Sequence, residues 1–237
     1  MILTPYGFFA GLGVFVSLNL LPVLKYEYLI ICMLAIILQS YLCVDCKNLY
    51  SLASYLSILP ILLLFIADCS ELKNVLVILS LALAIGRIGC FFAGCCSGKV
   101  CPKSFLFPIY YKKGSVVVDK YVKQNTQVYP TIFIEILSQF LITYLVWKLD
   151  YGIVLFGILN AALVYLSGFW RLASRMGNSI LDYIPVISLL CFSIIGYYKC
   201  KKQKSKKLTY QFKPISLVFS FLTAIILSND INFGLFM

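Results

Sequence analysis

Residues 74–95, NVLVILSLALAIGRIGCFFAGC, decide the fold of this chain. The stretch exceeds the roughly 20 apolar residues that an α-helix needs to cross a bilayer. Arg87 is its only charged residue, and the glycines fall in its second half. Because backbone groups cannot remain unpaired in lipid, the stretch predicts a membrane-spanning helix.

The composition of the whole chain points to the same environment. It has 62% hydrophobic and 12% charged residues among 237, with a mean hydropathy of +0.95. A soluble globule needs more charge on its surface. The formal net charge of +11 comes mostly from lysines between apolar runs, which is typical of loops facing lipid headgroups and argues against nucleic-acid binding.

Apolar runs predict about seven to eight spans, so the expected fold class is all-α, a polytopic transmembrane helix bundle forming one domain over residues 1–237. The first run lacks a basic leader and is expected to be a retained span. The predicted spans are 6–24, 27–44, 49–67, 74–95, 129–147, 151–170, 180–198 and 214–229.

Loop charges predict the orientation. The 199–213 loop holds seven lysines and no acid, so it is expected in the cytoplasm, which puts the N-terminus outside a cell (inner) membrane. The 99–128 segment carries six lysines and Asp119 yet falls outside by this count. We expect it to form a small ordered external cap between spans 4 and 5. Residues 214–237 add a C-terminal span.

Arg87 is the first candidate functional residue. A charge inside a span costs about 2.5 kcal/mol or more at mid-depth, so it calls for a partner or an anionic ligand. The glycines around it leave room for a neighbouring helix or a lipid headgroup. An arginine that anchors a helix end at the interface is the alternative. The nearby glycines are Gly86, Gly89, Gly94 and Gly98.

Two further segments place charged residues near the same predicted external face of the membrane. Pro130 suits the first turn of a helix, so Glu135 is expected inside a span, paired with Arg87 or Arg171 or else neutral. Arg171 and Arg175 are about one helical turn apart, and guanidinium groups match phosphate oxygens. Beside Trp170 they could instead be interfacial anchors.

These residues, taken in order, resemble the prolipoprotein diacylglyceryl transferase family. The resemblance covers about residues 4–198, and its GRIGCFxxGCC segment is similar to a cysteine-bearing branch. Family members carry a GRIGNFxNGExxG signature and a later HPxQLYE segment. The matching positions are Tyr6-Gly7, Gly86-Arg87-Ile88-Gly89, Phe91, Gly94, Gly98, Pro130, Glu135, Gly168 and Arg171.

The resemblance implies transfer of a diacylglyceryl group from phosphatidylglycerol, or another anionic phospholipid, to the thiol of a prolipoprotein lipobox cysteine. Arg87, Glu135 and Arg171 would then be catalytic: Arg87 would bind the phosphate, Arg171 would stabilise the leaving phosphate, and Glu135 would orient an arginine or polarise a hydroxyl. It implies no cofactor and no metal. Substrate-binding positions would be Tyr6, Gly86, Gly89, Cys90, Gly94, Cys95, Gly98 and Arg175.

The sequence departs from the family pattern at several positions. Cys90 and Ala93 replace asparagines, Cys95 replaces a glutamate, and the family histidine is absent because the chain has no histidine. Two other hypotheses therefore stand beside the transferase. One is a catalytically silent membrane subunit that binds lipid or a partner protein, and the other is a transporter or channel.

The ten cysteines divide into two groups. Those in or at the ends of apolar runs are expected to be packing residues. Those near the predicted external face could form a disulfide or be packing residues, could supply a reactive thiol or, least in keeping with their spacing, could bind a metal. The first group is Cys32, Cys43, Cys69, Cys191 and Cys200; the second is Cys90, Cys95, Cys96 and Cys101.

Overall fold

The computed structural model is a mostly helical bundle with a small antiparallel sheet. The residues it describes are 5–19, 59–65, 67–94, 98–111, 113, 118, 122–171 and 183–201. Within them, the helices with both ends described are α1 (Pro5–Asn19), α2 (Cys69–Ala93), α3 (Thr131–Lys148), α4 (Gly152–Trp170) and α5 (Ile184–Cys200). Residues 59–65 are helical as well.

Three helices are long and apolar enough to cross a bilayer. They cover Cys69–Phe92, Thr131–Lys148 and Gly152–Trp170, while α1 and α5 are shorter apolar helices. Five predicted spans coincide with a described helix to within a few residues. The predicted spans 27–44 and 214–229, and most of 49–67, lie outside the described residues, so the span count stays a prediction.

Helix α2 is the centre of the bundle. It packs along α1 and against α3, while α4 packs on both α3 and α5. Phe156 of α4 and Phe192 of α5 are fully buried, with ring centroids 6.0 Å apart. Close van der Waals packing of this kind holds helices together in lipid, where apolar surface gains little by leaving the solvent.

The described residues of the connection between α2 and α3, within 98–130, lie at one end of the bundle. Strand β1 (Ile109–Tyr110) pairs antiparallel with β2 (Gln127–Val128). The Cys101 N–H donates to the Gln127 carbonyl at 3.0 Å, which extends the pairing toward α2. A second small core forms here around Tyr111 and Val128.

Three cysteines of the apolar runs differ from the expectation of simple packing, while Cys32 and Cys43 lie outside the described residues. Cys69, at the start of α2, forms a disulfide with Cys200, at the end of α5. Cys191 is exposed on α5 rather than packed in the bundle. The correction has a tertiary cause: the ends of two helices far apart in sequence meet, with a Cα–Cα distance of 5.5 Å.

Two lysines lie at this same end of the bundle, and both donate to backbone carbonyls. Lys73 Nζ donates to the Leu149 carbonyl at 2.9 Å, just beyond α3. Lys199 Nζ donates to the carbonyls of Leu64 and Ala67, where the 59–65 helix ends. Cations belong at helix C-termini, where carbonyl groups lack partners within the helix.

Candidate functional site

Arg87 lies about two turns before the end of α2. The helix stops at Gly94, which has a φ of 64° and whose N–H bonds to the carbonyls of Cys90 and Phe91. This left-handed conformation favours glycine, so Gly94 serves the helix end. The Arg87 side chain is 11% exposed. It therefore lies inside the bundle rather than extending to water as a plain interfacial anchor would.

Glu135 lies on the second turn of α3. The helix begins at Thr131, directly after Pro130, as the proline position predicts. Glu135 is 2% exposed and belongs to the buried face of α3. A carboxylate at this depth requires positive partners to stay charged.

Arg171 is the residue that ends α4. Its backbone leaves the helix in an extended conformation and forms an antiparallel bridge with Gly98. A Cβ on Gly98 would collide with Thr131 Oγ1 and with the Tyr129 carbonyl oxygen, so only glycine allows this approach. The bridge directs the Arg171 side chain back into the bundle, where the residue is 7% exposed.

The three charged side chains meet at Glu135. Arg171 donates from Nε at 2.9 Å and from Nη2 at 2.5 Å to Glu135 Oε1. Arg87 Nη1 lies 3.1 Å from Glu135 Oε2. One carboxylate thus bridges two guanidinium groups from two other helices, which joins α2, α3 and α4 at one end of the bundle.

This cluster carries more positive than negative charge. Two guanidinium groups and one carboxylate leave a net charge of +1 for the three side chains. Arg171 uses Nε and Nη2 on Glu135, so Nη1 takes no part in that pairing. Guanidinium donors match the oxygens of carboxylates and phosphates, so the chemistry of the cluster suits an anion that accepts hydrogen bonds.

Aromatic side chains lie next to the cluster residues along the chain. The Phe91 ring lies 4.9 Å from that of Phe133, two residues before Glu135. Tyr129 contacts Phe105 on one side, at 4.9 Å, and Trp170 on the other, at 5.7 Å. Phe133 and Trp170 are exposed, so these rings belong to the outer surface of the bundle at this end.

The other predicted site residues divide into three groups. Gly86 packs near α1, where an added Cβ would lie 3.9 Å from the Ala10 Cα and so would be tolerated. Gly89 and Cys90 are buried close to the end of α2. Tyr6 lies in α1, and its side chain is outside the described part of the structure. Cys95 and Arg175 lie outside the described residues.

The structure describes only some of the cysteines near the site. Cys101 is buried and forms no disulfide, while Cys95 and Cys96 lie outside the described residues. A disulfide within this group therefore remains a prediction. Among the described residues, no three His, Cys, Asp or Glu side chains are grouped closely enough to hold a metal ion.

Sequence reasoning missed a buried polar pair beneath the site. Gln139 Nε2 donates to Asn160 Oδ1 at 2.8 Å, between α3 and α4. Both residues are at most 2% exposed. The sequence spacing could have indicated the position of Gln139, because it follows Glu135 by one helical turn and so lies on the same face of α3. This hydrogen bond sets the position of α3 along the axis of α4, and therefore aligns Glu135 with Arg171.

The fold and the site together define a class of protein. It is a helical membrane protein with a buried, net positive cluster at one end of its spanning helices. The chain belongs to the prolipoprotein diacylglyceryl transferase family, whose model matches residues 61–195, more than half of its length. Comparison with curated proteins finds no match, and comparison with solved structures finds none either.

The family match includes the residues of the cluster. Arg87, Glu135 and Arg171 all fall within residues 61–195. The resemblance found in the sequence is thereby confirmed at the level of the family. Membership gives a membrane function of the diacylglyceryl transferase type.

Proposed function

We propose that this protein transfers a diacylglyceryl group from phosphatidylglycerol to the cysteine thiol of a prolipoprotein lipobox. The observation that carries the proposal is the pair of buried arginines that both contact the carboxylate of Glu135. A phosphate diester is an anion whose oxygens match guanidinium donors. The family assignment supports the same substrate class.

In the proposed reaction the thiol sulfur forms a bond to the glyceryl carbon of the lipid. The bond between that carbon and the phosphate oxygen breaks, and glycerol phosphate leaves with the electron pair. The thiol proton is released together with the glycerol phosphate, so the products carry the same total charge as the reactants. Negative charge grows on the phosphate during this step, so donors held in place beforehand stabilise the transition state.

In this proposal three residues have separate roles. Arg171 offers its Nη1 donors to the phosphate while Nε and Nη2 stay on Glu135. Arg87 adds a second positive charge from α2. Glu135 does not contact the lipid in this scheme; it is a positioning residue that holds both guanidinium groups in place.

Transfer of labelled phosphatidylglycerol to a lipobox peptide tests the proposal. The full chain should transfer label, and Arg87→Ala or Arg171→Ala should lower the rate by about 10²–10³, the usual effect of removing one preorganised donor. Gln124→Ala is the matched control, since Gln124 is exposed, uncharged and outside the cluster. Absence of transfer, or equal transfer by the arginine variants, would reject the proposal.

A second candidate function is a catalytically silent subunit that binds lipid or a partner protein. The observation in its favour is that the chain contains no histidine, the side chain that most often accepts a proton near neutral pH. A stoichiometric co-purified partner, together with lipid binding that depends on Arg87 and Arg171 but no transfer, would select it.

A further inference from the structure

We propose that the Pro102–Pro108 turn is inserted into the lipid bilayer and recognises a membrane surface rich in anionic lipid. The turn belongs to the 98–130 segment and is separate from the charged cluster. Four observations carry the proposal, and none depends on catalytic activity.

The first observation is the exposure of two large apolar side chains at the tip. Leu106 is 84% exposed and Phe107 is 77% exposed. They are adjacent in the sequence, so they form one apolar tip rather than two scattered residues. A paired tip of this kind on a loop is typical of contact with a membrane or another apolar partner.

The second observation is that the tip is held rigidly outward. The Phe105 N–H donates to the Pro102 carbonyl at 3.0 Å and closes the turn. The Phe105 ring points the other way and packs on Tyr129, 4.9 Å away, which in turn contacts Trp170 at the end of α4. The bundle thus anchors one aromatic residue while the next two project away from it.

The third observation is the place of the tip beside a lipid-facing helix surface. Leu106 and Phe107 line an open cleft of about 630 Å³ together with Pro130 and Phe133. Phe133 and Leu137 are exposed on α3, which is a candidate membrane span. The apolar surface of the span therefore continues onto the tip, so the lipid that covers α3 also surrounds the turn.

The fourth observation is charge. Lys99, Lys103, Lys113 and Lys123 are all exposed on the 98–130 segment. The described residues of this segment contain no acidic side chain. Exposed lysines beside an apolar tip complement anionic headgroups, and this charge selects a lipid surface over an apolar protein partner.

Depth-dependent fluorescence quenching tests the insertion. The full chain carrying Phe107→Trp is reconstituted in vesicles of phosphatidylcholine with phosphatidylglycerol, some with brominated acyl chains, and the wild-type signal of its two native tryptophans is subtracted. Gln124→Trp is the matched control, because Gln124 is uncharged, exposed and on the same segment but outside the tip. We expect blue-shifted emission and several-fold stronger quenching at position 107.

The anionic preference is tested in the same vesicles. Replacing phosphatidylglycerol by phosphatidylcholine should weaken quenching at position 107, and Lys99→Gln with Lys103→Gln should remove that difference. Water-like emission without quenching, or quenching equal to the control, would overturn insertion. Equal quenching with and without anionic lipid would overturn the proposed recognition. Because no arm measures transfer, a failure here is distinct from failure of the proposed transferase.

Discussion

The two ends of the bundle both pair positive side chains with oxygen acceptors, and the acceptors differ. At one end, the buried Lys73 and the exposed Lys199 donate to backbone carbonyls at helix ends. At the other end, Arg87 and Arg171 both pair with the carboxylate of Glu135. The lysines therefore use backbone acceptors, whereas the arginines share a charged side chain.

The difference also extends to the backbone around each end. The lysine end is closed by the Cys69–Cys200 disulfide, which joins α2 to α5. The arginine end is built from a left-handed Gly94 and from the Gly98 bridge to Arg171. One end is tied together by a covalent bond, and the other is joined by ion pairs and a backbone bridge.

The largest expected effect follows from Glu135→Gln. It removes the negative charge that both Arg87 and Arg171 contact, so we expect a loss of about 3–5 kcal/mol in stability together with loss of transfer. Thermal unfolding in detergent measures the stability. A loss no greater than that of Lys199→Met would contradict the contrast between the two ends.

Arg171→Lys keeps the charge but removes the forked donor geometry. We expect the folded protein to persist and transfer from labelled phosphatidylglycerol to fall by about 10²–10³, since a lysine cannot hold Glu135 and a phosphate with planar donors at once. Lys123→Arg, on the exposed 98–130 segment, is the matched control and should leave transfer unchanged. Near wild-type transfer by Arg171→Lys would mean that charge alone is sufficient at this position.

Lys199→Met tests the lysine end. It leaves the carbonyls of Leu64 and Ala67 without their donor, so we expect a loss of about 1–3 kcal/mol in stability with transfer per folded molecule unchanged. Unfolding and transfer assays on the same preparation separate the two quantities. A specific loss of transfer would show that the two ends are functionally coupled.

The smallest expected effect follows from Cys69→Ser with Cys200→Ser. A disulfide closing so long a loop can contribute several kcal/mol in a soluble chain, but helices held in a bilayer are already restrained, so we expect about 1–2 kcal/mol. Transfer should not change, and unfolding in detergent measures the difference.

The predicted membrane orientation determines the redox environment of Cys69 and Cys200. Loop charge predicts that the lysine end faces the cytoplasm, where thiols are usually kept reduced. The pair is shielded, with Cys69 6% exposed, so we expect Cys69 and Cys200 to resist alkylation in intact cells. Alkylation without prior reduction would show that the pair is reduced in the cell.

Much of the helical architecture could be predicted from the sequence. The apolar run around Arg87 forces a helix because lipid offers no partner for backbone groups. Pro130 marks the start of α3, and the buried charges at 87, 135 and 171 were identified by their cost in an apolar run. The disulfide could not be predicted, because nothing local to Cys69 indicates that the end of α5 lies beside it.

By itself the sequence determined the membrane class, the family and the identity of the charged residues, since hydrophobic length and intramembrane charge are properties of the chain alone. Only the tertiary structure decided that one carboxylate serves both arginines, because that arrangement depends on how three helices meet. It also decided that Lys73 and Lys199 are satisfied by carbonyls and that Leu106 and Phe107 project from an anchored turn. Which side chains pair, how deeply they are buried and where they point all depend on neighbours that are distant in the sequence.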